Sequence, residues 1–178
     1  ALRPRHHRGP RIGLIALEAD ATIEDEWRHL FAHANAGFYT TRLPCAPDIT
    51  PATLKAAGDG IATAAGSLVP GTDLDAVAFA CTSATLMLGE SNVASQIAAA
   101  RPGCPVTNPL TAAARALRQL EVERIALLTP YRDDVTEPLV AHMESAGFIV
   151  VRAGSFDNTH DPDVARIAPD SLAEAVYN

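Results

Sequence analysis

From Arg11 onward, blocks of apolar residues alternate with segments whose apolar positions recur at helical spacing. Residues 12–17 (IGLIAL) form an unbroken apolar run, as expected for a strand buried on both faces. Ile23, Trp27, Leu30, Phe31 and Ala34 then share one helical face. Thr22 is placed to cap that helix, and Glu24, Asp25 and Glu26 sit where the helix end is positive. Asn35-Ala36-Gly37 ends it, with Gly37 expected in a left-handed cap. The pattern goes on with a strand at 38–43, a helix at 51–67 with proline in its first turn, and a strand at 76–80. Cys81-Thr82-Ser83-Ala84-Thr85 follows as a turn, then a helix at 89–100, a short strand at 105–107 and a helix at 110–120. Strands and helices alternating over short links predict an α/β fold with parallel sheets and right-handed crossovers.

The second part of the chain echoes the first. Residues 11–17 (RIGLIAL) resemble 124–130 (RIALLTP), 36–42 (AGFYTTR) resemble 146–152 (AGFIVVR), and 49–54 (ITPATL) resemble 167–172 (IAPDSL). The three blocks recur in order, at offsets of 113, 110 and 118 positions. Strand composition alone can produce one such match; three in sequence point to two pseudo-symmetric halves, 11–120 and 121–178, with flanking helices and a crevice between them. Residues 1–10 (ALRPRHHRGP) lack an apolar core and are expected to be a mobile basic arm. On the repeat, the helix near Pro169 leads toward a third strand and a counterpart of Cys81 that the sequence does not contain, so the second half reads as incomplete.

Composition narrows the function. A net charge of −7 argues against a nucleic-acid groove, and no apolar run approaches the ~20 residues of a membrane span. Three cysteines without C-x-x-C spacing favour reduced thiols in a cytoplasm over a disulfide framework or zinc site. His29 and His33 are four apart but flank the apolar stripe without a third ligand, so no metal is expected. Dinucleotide and P-loop motifs are absent.

Ligands of parallel α/β sheets sit beyond the carboxyl ends of the strands. That rule selects Asp20, the Cys81–Thr85 segment, Asn108 and Tyr131 as the lining of one crevice. Cys81 is the sharpest candidate: a strand end before a helix start favours an anion, and its thiol is expected below the ~8.5 of a free cysteine. It would then alkylate faster than Cys45 or Cys104, which read as structural. The alternative for Cys81 is a small buried thiol. Thr82 and Ser83 are either carboxylate-binding hydroxyls or caps, Asp20 a site residue or a cap, and Tyr131 a site phenol or a packing residue.

Residues 11–16 (RIGLIA), the 80–85 turn (ACTSAT), Thr129-Pro130-Tyr131 and 165–171 (ARIAPDS) together resemble the aspartate/glutamate racemase superfamily. The similarity is to the branch of arylmalonate decarboxylases, maleate cis–trans isomerases and ectoine-utilisation proteins. The resemblance implies an active site between two similar halves, with no metal and no organic cofactor. One cysteine from each half does the chemistry in the racemases and isomerases. Cys81 matches the first of these, Thr82 and Ser83 match carboxylate-binding positions, and Tyr131 matches a substrate-contacting tyrosine. Maleate isomerases carry asparagine where this chain has Asp20, which argues for a substrate bearing an ammonium group.

The expected function is a cofactor-independent isomerase, racemase or decarboxylase of a small carboxylate or amino-acid-like substrate. Cys81 and Tyr131 would be catalytic, and Asp20, Thr82, Ser83 and Asn108 would bind substrate. Homo-oligomerisation stays open. The competing expectation is a non-catalytic binding or regulatory module on the same scaffold.

Overall fold

The structure, a computed structural model, describes residues 9–177. Residues 1–8, most of the segment read as a basic arm, lie outside the described residues.

Strand β1 (Arg11–Leu17) occupies the middle of a four-stranded parallel sheet. It pairs with β2 (Gly37–Leu43) on one side and β3 (Ala76–Phe79) on the other; β4 (Val106–Thr107) extends the sheet beyond β3. Side chains alternate across a strand, so the sheet divides its residues between two layers. Ile15, Leu17, Val77, Phe79 and Cys81 face the main core, formed with Leu54, Ile61, Ala65, Val93 and Ile97. Those partners come from α2 (Pro51–Ala56), α3 (Ile61–Ser67) and α5 (Glu90–Ala100). Leu14, Ala16 and Ala78 face the other way, against Ile23 and Trp27 of α1 (Ile23–Leu30). Cys81 therefore continues the Val77–Phe79 face of β3 as the chain leaves the sheet.

Several local expectations are corrected. Helix α1 stops at Leu30, and its stripe is only half used: Ile23 and Trp27 pack on the sheet, whereas Leu30 is 73% exposed. Gly37 is the first residue of β2 and not a left-handed cap. The single helix expected over 51–67 is broken by a 3₁₀ turn at Ala57–Gly60. Its two glycines lie against neighbours: a Cβ on Gly58 would sit 2.7 Å from Leu88, and one on Gly60 2.6 Å from Leu43. The segment after Cys81 is helical, forming α4 (Thr82–Leu88), and Gly89 at φ +85° turns the chain into α5.

After α6 (Pro109–Gln119), a second sheet pairs β5 (Arg124–Tyr131) with β6 (Ile149–Asn158) in parallel, across α7 (Asp133–Ser145). Arg11 lies opposite Gly37 in the first sheet, and Arg124 lies opposite Ile149 in the second. The matched sequence blocks would instead put Arg124 opposite Gly147. That two-residue difference holds for Arg124 and Ile125 only: an irregularity before Ala126, which pairs with Arg152, makes it three residues along the next stretch of β5. A small core of Ala114, Ile125, Met143 and Phe148 supports this sheet. Two short helices follow, α8 (Asp161–Val164) and α9 (Pro169–Tyr177).

The end of β6 is stitched to the first part of the chain. Asp48 and His160 form an antiparallel bridge, the Ile49 N–H donates to the Thr159 carbonyl at 2.8 Å, and the Asp161 N–H donates to the Pro47 carbonyl at 2.7 Å. Val135 of α7 enters the main core, with Tyr131 and Val164 packed against it. The carboxyl ends of β1, β3 and β5 thus face one space. None of the described helices is long and apolar enough to cross a membrane.

Candidate active site

A cavity of about 360 Å³ opens between the two sheets. Asp20, Thr22, Cys81, Thr82 and Ser83 line it from the first sheet's side. Thr129, Pro130, Tyr131, Phe156, Asp161 and Ile167 line it from the other. Of the residues singled out from sequence, Asp20, Cys81, Thr82, Ser83 and Tyr131 come together here. Asn108 is not among the lining residues. It is buried, and its side chain caps α6: Oδ1 accepts from the Thr111 N–H at 2.9 Å and Nδ2 donates to Thr111 Oγ1 at 3.0 Å. Both polar atoms of the amide are thus engaged in the cap of α6.

Cys81 stands at the floor, only 6% exposed but bordering the cavity. It is the N-cap residue of α4, its sulfur accepting from the Ala84 N–H at 3.4 Å with Ser83 Oγ 3.6 Å away. The Cys81 carbonyl accepts from Thr85 Oγ1, which locks the turn from below. Both contacts to the sulfur favour the thiolate, yet burial outweighs them and pushes the thiol up to about 11. This corrects the expectation of a lowered value: helix start and hydroxyl pull in the foreseen direction, but nearly complete desolvation pulls harder. The thiol is neutral at rest. It should accordingly be the slowest of the three cysteines to alkylate at neutral pH, since Cys45 and Cys104 are only half-buried.

Cys45 needs its own correction. Expected away from the crevice, it shares a small adjoining cavity with Cys81, Asp161 and Leu54. Burial also raises its thiol, so it too rests protonated.

Tyr131 closes the site opposite Cys81. Its phenol lies beside the Ser83 and Thr82 hydroxyls and is raised to about 12, chiefly by burial. The backbone there is firmly held: the Tyr131 N–H donates to Thr129 Oγ1 at 3.2 Å and its carbonyl accepts from Thr136 Oγ1 at 3.0 Å. Thr82, Ser83 and Tyr131 thus set three hydroxyls beside one thiol.

Asp20 caps a helix and also stands at the cavity wall. Its Oδ1 caps α1, accepting from the N–H groups of Thr22 at 2.9 Å and Ile23 at 3.1 Å, and the same residue borders the cavity. Thr22 itself makes no side-chain cap. Asp161 was not anticipated. It is half-buried on the far wall, and burial followed by the nearby Asp20 charge raises its carboxyl above the ordinary carboxylate range. The same strand-end rule applied to β6 would have reached it, but β6 is not a clean apolar run, and its exposed pattern hides where it ends. No group of three or more His, Cys, Asp or Glu able to hold a metal occurs among the described residues.

The raised thiol and phenol have a consequence for stability. An unfolded cysteine ionises near 9, whereas folded Cys81 does so near 11. The unfolded chain therefore sheds its proton first. The contribution is fully present below pH 9 and is lost as pH rises toward 11, about 3 kcal/mol over the window. Tyr131 adds a loss of the same sign between 10 and 12. Urea unfolding followed by circular dichroism at pH 8 to 11 should show Cys81→Ser declining less steeply than wild type. Parallel declines would refute the assignment of Cys81 as a buried neutral thiol.

Comparisons with known proteins identify the family of the chain. Residues 12–178 match the arylmalonate decarboxylase family. A maleate isomerase of Nocardia farcinica (strain IFM 10152) is 28% identical over 153 residues, covering 79% of this chain; the match takes in 59% of that protein's length. A mutant of the Nocardia farcinica maleate cis-trans isomerase with a covalently bound succinylcysteine intermediate superposes with a TM-score of 0.85 at 25% identity, covering 94% of this chain and 72% of that one. A double mutant of arylmalonate decarboxylase in its liganded form gives 0.79 at 25% identity, over 93% of this chain and 69% of that one. The chain belongs to the arylmalonate decarboxylase family.

Proposed function

We propose that this protein is a cofactor-independent enzyme that isomerises, racemises or decarboxylates a small carboxylate, with Cys81 as the reacting thiol. The observation that carries the reading is the placement of Cys81. A nearly buried sulfur faces a ligand-sized cavity and is ringed by the hydroxyls of Thr82, Ser83 and Tyr131. Those hydroxyls, with the backbone N–H groups opening α4, are donors for a substrate carboxylate. They also suit the enediolate that forms when negative charge moves onto that carboxylate. The family and the maleate isomerase relative supply the reaction class, and a cysteine bearing a succinyl group in the structural neighbour is what thiol chemistry on a carboxylate leaves behind.

Within that class, the protonation state of Cys81 favours a step in which it gives a proton. At pH 7 a thiol ionising near 11 is thiolate in only about one molecule in 10⁴, so starting as a base costs about 5 kcal/mol. As an acid it is ready. In decarboxylation of a malonate, the bond from the α-carbon to one carboxylate breaks, CO₂ leaves, and the electron pair is held as an enediolate. The α-carbon then takes the Sγ proton, and solvent restores the thiol. Delivery from one side only would make the product chiral. Asn108 takes no part in this reading, while Tyr131 contributes by orienting the carboxylate.

The test is a panel of substituted malonates, cis-unsaturated diacids and α-amino acids, followed by proton NMR in deuterated water with EDTA present. At least one member should lose CO₂ with deuterium at the α-carbon, change double-bond geometry, or exchange its α-proton. Saturable binding with no bond change in any member would overturn the enzyme and leave the binding module.

A further inference from the structure

Two helices that pack against each other, α4 and α7, carry the two walls of the cavity, and both start there. Cys81 is the N-cap of α4. In the first turn of α7, the Thr136 hydroxyl donates to the Tyr131 carbonyl at 3.0 Å and lies 2.7 Å from Thr129 Oγ1, which fixes the Tyr131 wall. From the cavity the seven residues of α4 extend about 10 Å, and Thr136 to His142 of α7 about 9 Å. At the far end Gly89, at φ +85°, turns the chain into α5, whose first residue is Glu90. The Glu90 carboxylate is divided between two other helices. Its Oε2 accepts from the Thr111 hydroxyl of α6, and its Oε1 faces His142 Nε2 of α7 at 3.6 Å, an ion pair when His142 holds its proton. Asn108, which does not reach the cavity, donates to the same Thr111 hydroxyl at 3.0 Å. Both members of the Glu90–His142 pair are partly buried, where salt screens them less than at an open surface.

The cavity cannot fix the spacing of its own walls during a reaction. The Tyr131 phenol lies beside the Thr82 and Ser83 hydroxyls, and a carboxylate bound there takes those hydroxyls over, so the direct contact between the walls is given up as substrate arrives. Val135 joins α7 to the main core, but apolar packing is non-directional, whereas hydrogen-bonded groups hold a geometry. Resting on the reading of Cys81 as the reacting thiol, we infer that Glu90 is a positioning residue: through Thr111 and His142 it acts as a strut that sets, from outside the cavity, the separation of Cys81 from Tyr131. Without it the far ends of α4 and α7 drift apart, and two short, stiff helices carry that displacement to the walls. The thiol is then misplaced relative to the bound acid and opened to solvent.

The experiment follows alkylation of each cysteine by iodoacetamide at pH 8, on the full chain, by peptide mass spectrometry. Glu90→Ala should speed alkylation of Cys81 about fivefold or more, because the sulfur gains access and loses some of the burial that keeps it protonated. Cys104, beyond the other end of α5, should stay within about twofold of wild type and reports on general loosening. Glu90→Gln, whose amide can meet both Thr111 and His142, should return Cys81 to within about twofold of wild type. His142→Ala cuts only the arm to α7 and should reproduce most of the rise, which keeps the test decisive where Glu90→Ala folds poorly; thermal melts record folding. On an acid that the wild type turns over, Glu90→Ala should lower kcat about tenfold with KM within about threefold, since the carboxylate donors remain and the thiol is displaced. Wild-type alkylation of Cys81 in folded Glu90→Ala, or an equal rise at all three thiols, would overturn the strut. So would a raised KM at unchanged kcat. No turnover of any acid by the wild type, with the alkylation contrast intact, would overturn the enzyme and leave the strut as the control of the cavity's width.

Discussion

Cys81→Ser should lose turnover by at least ~10³-fold while the protein stays folded. The side chains are nearly isosteric, but a hydroxyl neither ionises nor gives its proton at the rate a thiol does. The fold should tolerate the change for a specific reason. Residue 81 caps α4, with its sulfur taking the Ala84 N–H at 3.4 Å, and serine is among the best residues for that position. Ser83 Oγ, now 3.6 Å from the sulfur, remains as a second partner for the new hydroxyl. Thermal melts should therefore agree within a few degrees, and product formation on the best acid of the panel should vanish. Cys45→Ser and Cys104→Ser serve as contrasts, Cys104 more cleanly because Cys45 shares a small cavity with Cys81. Turnover of Cys81→Ser within tenfold of wild type would exclude a thiol mechanism.

Much of the architecture was legible in the sequence, and the parts that were not have identifiable causes. Residues 12–17 read as a doubly buried strand because their apolar run is continuous, and β1 is the central strand. Pro51 and Thr50 marked the start of α2, where both halves of a capping box form. The break at Ala57–Gly60 was hidden, because the apolar spacing runs on through it: Leu54, Ala57, Ile61, Ala64 and Ala65 are all buried in the main core. Helix α4 was hidden for a different reason. Cys-Thr-Ser-Ala-Thr has the composition of a turn, and it becomes helical once the Cys81 sulfur and carbonyl accept the Ala84 N–H and the Thr85 hydroxyl. The strand-end rule pointed to Cys81, Thr82, Ser83, Tyr131 and Asp20, and these five do line one cavity. It misjudged Asn108, since the same rule also selects caps of the following helix. It also gave the wrong direction for the Cys81 thiol, because motif geometry conveys donors and helix ends but not the depth of burial that outweighs them.

The second large effect is expected at Phe79→Ala, and it connects the core to the chemistry. Phe79 is fully buried in β3, among Ile15, Val77, Val93 and Ile97 in the main core. Removing a ring from such a place forfeits its transfer from water and leaves a cavity that a close-packed sheet cannot refill, a loss of about 3–5 kcal/mol. For a chain of this size that corresponds to a drop of roughly 10 °C in melting temperature. Leu30→Ala, 73% exposed on α1, should cost less than about 0.5 kcal/mol and serves as the comparison. Turnover should fall as well, even where the variant is fully folded. Phe79 and Cys81 lie two residues apart on the same face, and the link between them is held by the Ala80 N–H donating to the Ile15 carbonyl at 2.9 Å. Relaxation of β3 into the new space would move the sulfur relative to Ser83 and Tyr131, and small displacements of a reacting group are costly to rate. Denaturant unfolding and turnover measured at 15 °C, well below the lowered melting point, separate the two effects. A stability loss under 1 kcal/mol would show that Phe79 is not the packing keystone of the sheet. Unchanged turnover in a variant that has lost the full 3–5 kcal/mol would show that α4 and its cap position Cys81 independently of β3.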